Sequence, residues 1–321
     1  MKQPRRAKKS KPVQLAEYAA AYLLIGLVQA LPMGLVRRIS RLIGDLVFRF
    51  DRRRRAIGID NLRYALGEAM SEAQIEQTVR ESCGAFVLTL FEIIKFRRRL
   101  ADPQRIRELA HQTESIEAVL REVKAINAQA KGCIFVTPHL GNWEVLPYAS
   151  SYIGVPLAMV ARPLDNPYLE RLVFQNRTAT GQILIPKRNA MFMLERALHR
   201  GKSIGLLADQ STARGIAVEF FGRKAMTTPV PAILATAYNR PIVVVACCRS
   251  RDAEGFEAFL APPIWPGDYQ SEKAEILRLT AAMNRAMESL IRQRPEQYLW
   301  IHNRWKTPGR NREMVLRQSD G

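Results

Sequence analysis

From residue 130 to about residue 250, the sequence alternates between short apolar runs and longer segments with apolar residues three and four positions apart. Short runs rich in β-branched residues predict strands, and the spaced segments predict helices. The predicted strands are 133–136, 156–161, 182–185, 204–208, 217–221 and 241–248, and the predicted helices are 142–153, 166–180, 190–200 and 230–239. This alternation favours an α/β protein with a mixed, largely parallel sheet flanked by helices.

The segment before this alternation is predicted to be helical throughout. Apolar residues recur at helical spacing in 61–66, 74–96 and 115–130, and SEAQ at 71–74 is typical of a capping box that opens a helix. A last amphipathic helix is expected from about 271 to 292. The sequence contains no internal repeat and no low-complexity linker.

The N-terminal region combines a basic tail with an apolar run. Residues 1–11 carry six Lys or Arg and no acid, and no charged residue occurs between Tyr18 and Val36. A membrane-spanning helix needs about 17–25 such residues, so the run is just long enough, although Pro32 weakens it. A cleaved signal peptide and a buried core helix are the alternatives, and we favour a membrane anchor that either spans or lies in the interface. Both flanks are basic, which leaves its orientation open.

The net charge of the chain is +19, which favours polyanionic partners such as acidic lipid head groups, phosphorylated substrates, an acidic carrier protein or nucleic acid. No recognised nucleic-acid-binding module accompanies the charge. The four cysteines form no Cys-x-x-Cys pair, and we expect buried, reduced thiols. A Gly-Lys-Ser at 201–203 lacks the rest of a phosphate-binding loop, and no Gly-x-Ser-x-Gly motif of a serine hydrolase occurs.

His139 follows the run CIFVTP at 133–138, which places it at the end of a predicted strand, and Gly141 then permits a tight turn. In open α/β sheets, catalytic residues collect beyond the carboxyl ends of the strands. Glu144 is expected in the first turn of the next helix, where it would hold the imidazole in one tautomer so that the ring accepts a proton from a substrate hydroxyl. The spacing alone is weak, because four histidines and 30 acids give an accidental pair in about one case in three. A purely structural histidine is the alternative.

Five segments in a fixed order carry a resemblance. They are HLGNWE at 139–144, RPLDNP at 162–167, GLLADQ at 205–210 followed by GIAVEFFG at 215–222, PIVVV at 241–245, and PEQYLWIHNRWK at 295–306. In this order they resemble the late acyltransferases of lipid A biosynthesis, a branch of the lysophospholipid acyltransferase superfamily. The apolar run near the N-terminus and NLRYAL at 61–66 fit the same pattern, so the resemblance covers about residues 15–310.

The resemblance implies a glycerolipid-acyltransferase-like fold with an N-terminal membrane-anchor helix. It also implies transfer of a fatty acyl chain from an acyl carrier protein thioester to a hydroxyl of a phosphorylated lipid A precursor. His139 and Glu144 would be the catalytic pair, without a covalent acyl-enzyme, metal or cofactor. The implied partners are acyl carrier protein, the glycolipid acceptor and membrane lipids, with no nucleic acid, at the cytoplasmic face of a bacterial inner membrane.

Further residues of the matching segments are candidates for substrate binding: Arg162, Asn166, Asp209, Gln210 and Arg304. Arg162 would stabilise an oxyanion or grip a phosphate, and a surface ion pair is its alternative role. Asp209 and Gln210 follow a predicted strand and are expected in the same cleft as His139, although a structural role fits them equally. Arg304 could bind phosphate or belong to a solvated basic end. Asn303 departs from the family pattern, which often has two basic residues here.

The sequence is therefore divided into a basic tail (1–14), a membrane anchor with an amphipathic helix (15–50), an acyltransferase domain (51–310) and a C-terminal tail (311–321). The domain has a helical part, 51–130, and an α/β part, 131–310. Two alternatives stay open. One is an acyltransferase acting on another glycolipid, a lysophospholipid or an aminolipid, and the other is a non-catalytic basic protein that binds membranes or nucleic acid.

Overall fold

The structure is a computed structural model that describes residues 10–96, 100, 102–161, 164–187, 189–252 and 255–306, with backbone alone at 103 and 173–177. Its helices are α1 (Lys11–Ala30), α2 (Met33–Phe50), α3 (Arg52–Leu66), α4 (Glu72–Phe96), α5 (Pro103–Ala110), α6 (Glu114–Ala130), α7 (Leu146–Tyr152), α8 (Pro167–Ala179), α9 (Ala190–His199), α10 (Val230–Tyr238) and α11 (Glu272–Ile291). Its strands are β1 (Ile134–Thr137), β2 (Leu157–Ala161), β3 (Ile183–Pro186), β4 (Ser203–Leu207), β5 (Ile216–Phe220), β6 (Arg223–Thr227), β7 (Ile242–Arg249) and β8 (Phe256–Leu260).

Six strands form one sheet in the order β3-β2-β4-β1-β7-β8. All neighbours in it are parallel except β7 and β8, which are antiparallel, and β5 and β6 form a separate antiparallel hairpin. The prediction of an α/β protein with a mixed, largely parallel sheet flanked by helices is confirmed. The sequence reading missed α5, β6 and β8; β6 begins with Arg223 and Lys224, which hide its strand pattern.

The central strand β1 separates two apolar cores because its side chains alternate between the faces of the sheet. Ile134 and Val136 belong to the larger core, together with residues of α9, α10 and α11. Phe135 belongs to a second core that lies under α6 and includes Val123 and Ile126. Both faces of the sheet are covered, as is usual for parallel strands. The carboxyl end of β1 is thereby held at the middle of the sheet.

The N-terminal apolar run is not one continuous helix. It is divided at Leu31 and Pro32, where both residues are extended, so α1 ends at Ala30 and α2 begins at Met33. The described residues contain one helix long and apolar enough to cross a membrane by length and composition, and that helix is α1. The second helix packs closely on α4, because a Cβ on Gly44 would lie 2.4 Å from the backbone nitrogen of Gly84. Helix α2 is thus held against α4 in the helical part of the chain.

Candidate active site

His139 lies two residues beyond the end of β1, as the sequence predicts. The backbone around it is tied to neighbouring segments, since the Leu299 amide donates to the His139 carbonyl (3.1 Å) and the Asn142 amide donates to the Cys247 carbonyl (2.7 Å). The predicted start of the next helix at 142 was wrong. Helix α7 begins at Leu146, with Pro147 in its first turn, and Glu144 lies in the turn before it. The Asn142 side chain accepts from the Glu144 amide (3.2 Å) and stabilises this turn.

Gly141 is required by the geometry of this loop. Its φ is +61°, and a Cβ at this position would lie 2.2 Å from the Cys247 carbonyl oxygen. Left-handed backbone favours glycine, and here the approach of β7 excludes a side chain as well. The tight turn that the sequence predicts at Gly141 is confirmed, and it directs the chain from His139 back across the sheet edge.

The imidazole of His139 is paired with Asp209. The Asp209 carboxylate accepts from the His139 backbone amide (2.8 Å) and lies 2.7 Å from the ring Nδ1. Both residues extend two positions beyond paired parallel strands, because Thr137 of β1 is in register with Leu207 of β4. With Nδ1 as the donor to Asp209, Nε2 is the acceptor nitrogen, and the Gln210 amide nitrogen lies 3.3 Å from it. This tautomer is the one that accepts a proton from a hydroxyl.

Asp209 controls the charge of the imidazole. Burial of the His139 ring lowers its pKa, but the charge of Asp209 and its hydrogen bond more than offset this, so the pKa is raised above the usual 6.5. Burial raises the pKa of Asp209, but the charge and hydrogen bonds of His139 more than offset this, so the pKa of Asp209 lies below its ordinary value. The carboxylate is therefore ionised at neutral pH and stabilises a protonated imidazole.

Two residues of the C-terminal segment, Tyr298 and Arg304, lie near Asp209. Tyr298 is buried, and burial together with the nearby charge of Asp209 raises the pKa of the Tyr298 hydroxyl, so the hydroxyl stays neutral. Arg304 is only 2% exposed and donates to the Met226 carbonyl (2.8 Å) and the Thr227 hydroxyl (2.6 Å). Its charge also helps to lower the pKa of Asp209. The described contacts place Arg304 in the interior beneath the pair, and its role in substrate binding stays a prediction.

A buried ion pair holds the loop from the other side. The Arg249 guanidinium donates to both carboxylate oxygens of Glu92 (3.0 and 2.6 Å) and to the Thr89 hydroxyl (2.7 Å). Thr89 in turn donates to the Gly141 carbonyl (2.8 Å), and Asn142 donates to Glu92 (2.8 Å). Helix α4 and strand β7 are thus connected to both residues that shape the turn between His139 and Glu144.

Replacing Glu92 by glutamine is expected to lower the free energy of unfolding by about 3–5 kcal/mol, because Arg249 would remain buried without its counter-charge. Activity should fall as well, since Asn142 and Gly141 lose part of their support. Chemical denaturation and initial rates measure the two effects. Asp45→Asn is the matched control, because it breaks an exposed pair with Arg80 and should cost under about 1 kcal/mol. Equal losses in the two variants would show that the buried network does not support the loop.

An apolar cavity of about 500 Å³ lies beside this loop, between the sheet and helices α6 and α7. Its wall includes Trp143 and Glu144, and its floor includes Phe135, Met159 and Gly205. The Trp143 ring also packs edge-on against the His139 imidazole, with 5.0 Å between ring centroids. Trp143 therefore contacts both the imidazole and the cavity, and Glu144 also lines the cavity.

The remaining sequence-predicted residues are distributed as follows. Arg162 lies outside the described residues, so its role stays a prediction. Asn166 is buried, donates from its side chain to the Gln14 carbonyl of α1 (2.8 Å) and accepts from the Tyr168 amide at the start of α8 (3.0 Å). These contacts give Asn166 a structural role, and substrate binding by it also stays a prediction. Among the described residues, no cluster of three or more His, Cys, Asp or Glu could hold a metal ion.

With this geometry established, comparison with known proteins identifies the family. Residues 6–307 match the family model described as bacterial lipid A biosynthesis acyltransferase. The chain belongs to this family. It is 27% identical over 299 residues to a lipid A biosynthesis lauroyltransferase of Escherichia coli (strain K12), covering 90% of this chain and 92% of the relative. It is also similar to a lipid A biosynthesis palmitoleoyltransferase of Escherichia coli (strain K12), 26% identical over 195 residues and 59% and 60% of the two chains.

A further relative is named for a different lipid acceptor. It is a phosphatidylinositol mannoside acyltransferase of Mycolicibacterium smegmatis (strain ATCC 700084 / mc(2)155), 23% identical over 180 residues, which cover 54% of this chain and 57% of the relative. The family resemblance inferred from the sequence is confirmed, and the chain is an acyltransferase of the lipid A biosynthesis family.

Sequence reasoning missed the residues that support the loop, namely Glu92, Arg249 and Tyr298. The sequence contained an indication for Glu92 and Arg249. Glu92 is the single acid in the mainly apolar second half of a predicted helix, and Arg249 follows directly after the apolar run of a predicted strand. Buried charges are normally paired, so two such residues were candidates for each other. Tyr298 lies in the C-terminal segment and carries no local pattern that indicates its partner.

Proposed function

We propose that the protein transfers a fatty acyl chain from an acyl carrier protein thioester to a hydroxyl group of a lipid A precursor. One observation carries the proposal: the His139–Asp209 pair lies directly against Trp143, which also lines an apolar cavity suited to a hydrocarbon chain. Membership of the lipid A biosynthesis acyltransferase family supports the same reaction. A base that activates a hydroxyl and an adjacent apolar cavity are the two parts that acyl transfer to a lipid requires.

In this mechanism Nε2 of His139 takes the proton of the acceptor hydroxyl while its oxygen attacks the thioester carbonyl. Asp209 holds Nδ1–H and stabilises the imidazolium as it forms. The tetrahedral intermediate then expels the thiolate, which takes the proton back from Nε2. The ester bond forms, the thioester bond breaks, and no covalent acyl-enzyme is needed. The Gln210 amide nitrogen lies 3.3 Å from Nε2, at the position that the acceptor hydroxyl would take. Gln210 therefore either moves aside for the hydroxyl or orients it.

Glu144 takes a second role in the proposal. The sequence predicted that Glu144 would hold the His139 ring. In the structure Asp209 lies 2.7 Å from Nδ1 of this ring, and Glu144 lies in the cavity wall beside Trp143. We propose that Glu144 acts from the cavity wall, next to the Trp143 ring that contacts the imidazole, where it helps to position the substrates. Asp209 is the residue that orients the ring.

The charge of the protein supports the proposed partners and location. Acyl carrier protein is acidic and lipid A precursors carry phosphates, so both are attracted to a chain of net charge +19. We place the protein at the cytoplasmic face of the bacterial inner membrane. The apolar helix α1 supports membrane attachment. The name of the mycobacterial relative supports another glycolipid as the alternative acceptor.

The test uses the purified full-length chain with acyl carrier thioesters and separate acceptors: a tetra- or penta-acylated lipid A precursor, a lysophospholipid and a phosphatidylinositol mannoside. Mass spectrometry should show one added acyl chain on the lipid A precursor. Product with the other acceptors alone would favour the alternative. Absence of product with every lipid acceptor would contradict the proposed function, and equal rates with acyl-coenzyme A would contradict the choice of donor.

Gly205 offers a test of the cavity. A Cβ here would lie 3.2 Å from Leu157 Cδ1 and 3.2 Å from Met159 Cγ, and both residues line the cavity, so Gly205→Val should fill part of the space. We expect the preferred acyl chain to become shorter by two or more carbons. Competition among carrier thioesters of different lengths measures this. The rate with the short chain is the internal control, because general damage would lower all rates equally and leave the preference unchanged.

A further inference from the structure

We propose that α1 does not cross the membrane but lies along one leaflet, and that α1 and α2 together form a docking surface for an anionic lipid bilayer. A helix that spans a bilayer extends away from the soluble domain and makes few contacts with it inside the membrane. Helix α1 instead contacts the domain near both of its ends and along one face between them.

Both ends of α1 are bonded to the catalytic domain. Near its start, the Asn166 side chain donates to the Gln14 carbonyl (2.8 Å) and to Glu17 (3.1 Å). At its end, Lys95 of α4 donates to the carbonyls of Val28 (3.4 Å) and Gln29 (3.0 Å), and Gln29 donates to the Ile94 carbonyl (3.1 Å). Residues 14 and 29 are about 22 Å apart along a helix, which is most of the roughly 30 Å hydrocarbon core.

Between these ends, one continuous stripe of α1 faces the domain. The residues of α1 that are buried or half-buried are Gln14, Glu17, Tyr18, Ala21, Ile25, Val28 and Gln29. They recur at three and four positions, which places them on one face of a helix. If α1 crossed the bilayer, the domain surface along it would have to enter the hydrocarbon as well. The ammonium group of Lys95 and the amide of Asn166 would then be carried into the membrane, which is costly.

The outward face of α1 is apolar and exposed, with Leu23 72% exposed. Helix α2 also exposes apolar side chains. Its exposed apolar side chains are Leu35, Leu42, Leu46 and Phe50, and the exposed arginines on the helix are Arg38, Arg41 and Arg49. A helix with an apolar stripe beside arginines is typical of interfacial binding, where the apolar side enters the acyl region and the arginines meet lipid phosphates.

A labelling experiment distinguishes the two arrangements, because the four native cysteines are buried. Burial also raises the pKa of Cys83 to about 11 and of Cys133 and Cys247 to about 12, which makes them poor nucleophiles at neutral pH. Two single variants of the full-length chain are needed: Ser10→Cys, just before α1, and Ser289→Cys, exposed on α11. A membrane-impermeant maleimide is applied to intact spheroplasts and to inverted membrane vesicles.

We expect both cysteines to be labelled from the same side, in the inverted vesicles alone. Labelling of Ser10→Cys from the opposite side to Ser289→Cys, or from neither side, would overturn the proposal. Neither substitution touches the candidate active site, so this result is independent of the acyltransferase mechanism.

Vesicle binding tests the surface itself. Leu23→Glu and Leu42→Glu, at positions 72% and 60% exposed, should each lower partitioning into phosphatidylglycerol-containing vesicles about tenfold, because a leucine is withdrawn from the lipid. Leu277→Glu on α11 is the matched control, 49% exposed and away from the surface, and should bind as the unaltered chain does. Equal loss in all three variants, or equal binding to purely zwitterionic vesicles, would contradict the proposed surface.

Discussion

Replacement of His139 by glutamine is expected to lower kcat for acyl transfer by about two to four orders of magnitude. Glutamine retains a polar side chain of similar size, but it cannot take a proton from the acceptor hydroxyl. The imidazole is mostly buried and fixed on Asp209, so no other described side chain is placed to take over its Nε2 position. Initial rates with carrier thioester and lipid A precursor measure the effect, while KM should change little because the cavity is unaltered.

His199→Gln is the control for this change, because His199 is exposed at the end of α9 and distant in the fold from the β1 end. It should leave the rate within about twofold, as surface substitutions usually do. If His139→Gln kept the full rate, the alternative of a non-catalytic basic membrane- or nucleic-acid-binding protein would be favoured.

Replacement of Asp209 by asparagine is the second large expected effect, again a loss of about two to four orders of magnitude in kcat/KM. Asparagine preserves the shape of the side chain but removes the charge that stabilises the imidazolium. It can also donate to Nδ1, which would favour the tautomer that carries its proton on Nε2 and cannot act as a base. The variant Glu144→Gln is the comparison, and a smaller loss is expected for it because Glu144 lies in the cavity wall.

These two variants separate the sequence-based assignment from the structural one. A greater loss for Glu144→Gln than for Asp209→Asn would restore Glu144 as the residue that orients His139. Thermal unfolding of both variants provides the stability control, because Asp209 is buried and its replacement also weakens the hydrogen bond that it accepts from the His139 amide.

The position of His139 was predictable from the sequence, whereas its partner was not. Each of the residues His139 and Asp209 follows an apolar run, and runs of that kind are local features. Their contact depends on β1 and β4 being neighbours in the sheet, and sheet order is set by packing over 70 residues of sequence. The sequence placed Asp209 in the right cleft without placing it on Nδ1.

The position of Glu144 was misjudged for a local reason. Apolar residues three and four positions apart predicted a helix from 142, but the Asn142 side chain forms a turn with the Glu144 amide and Pro147 lies at the start of α7. The uncharged run 18–36 was likewise read as one segment, and the extended residues Leu31 and Pro32 divide it. Short polar side chains and prolines thus overrode hydrophobic periodicity at both places.

The measurement that tests the central claim most directly is the pH dependence of kcat/KM for the unaltered chain and for Asp209→Asn. A general base must be neutral, so activity rises as pH increases through the pKa of His139, which Asp209 holds above 6.5. In Asp209→Asn the charge that raises this pKa is gone, while burial of the imidazole still lowers it. The pKa of His139 should therefore fall, and the acid limb of the residual activity should move to lower pH. An acid limb that stays in place in Asp209→Asn and moves in Glu144→Gln would contradict the His139–Asp209 assignment.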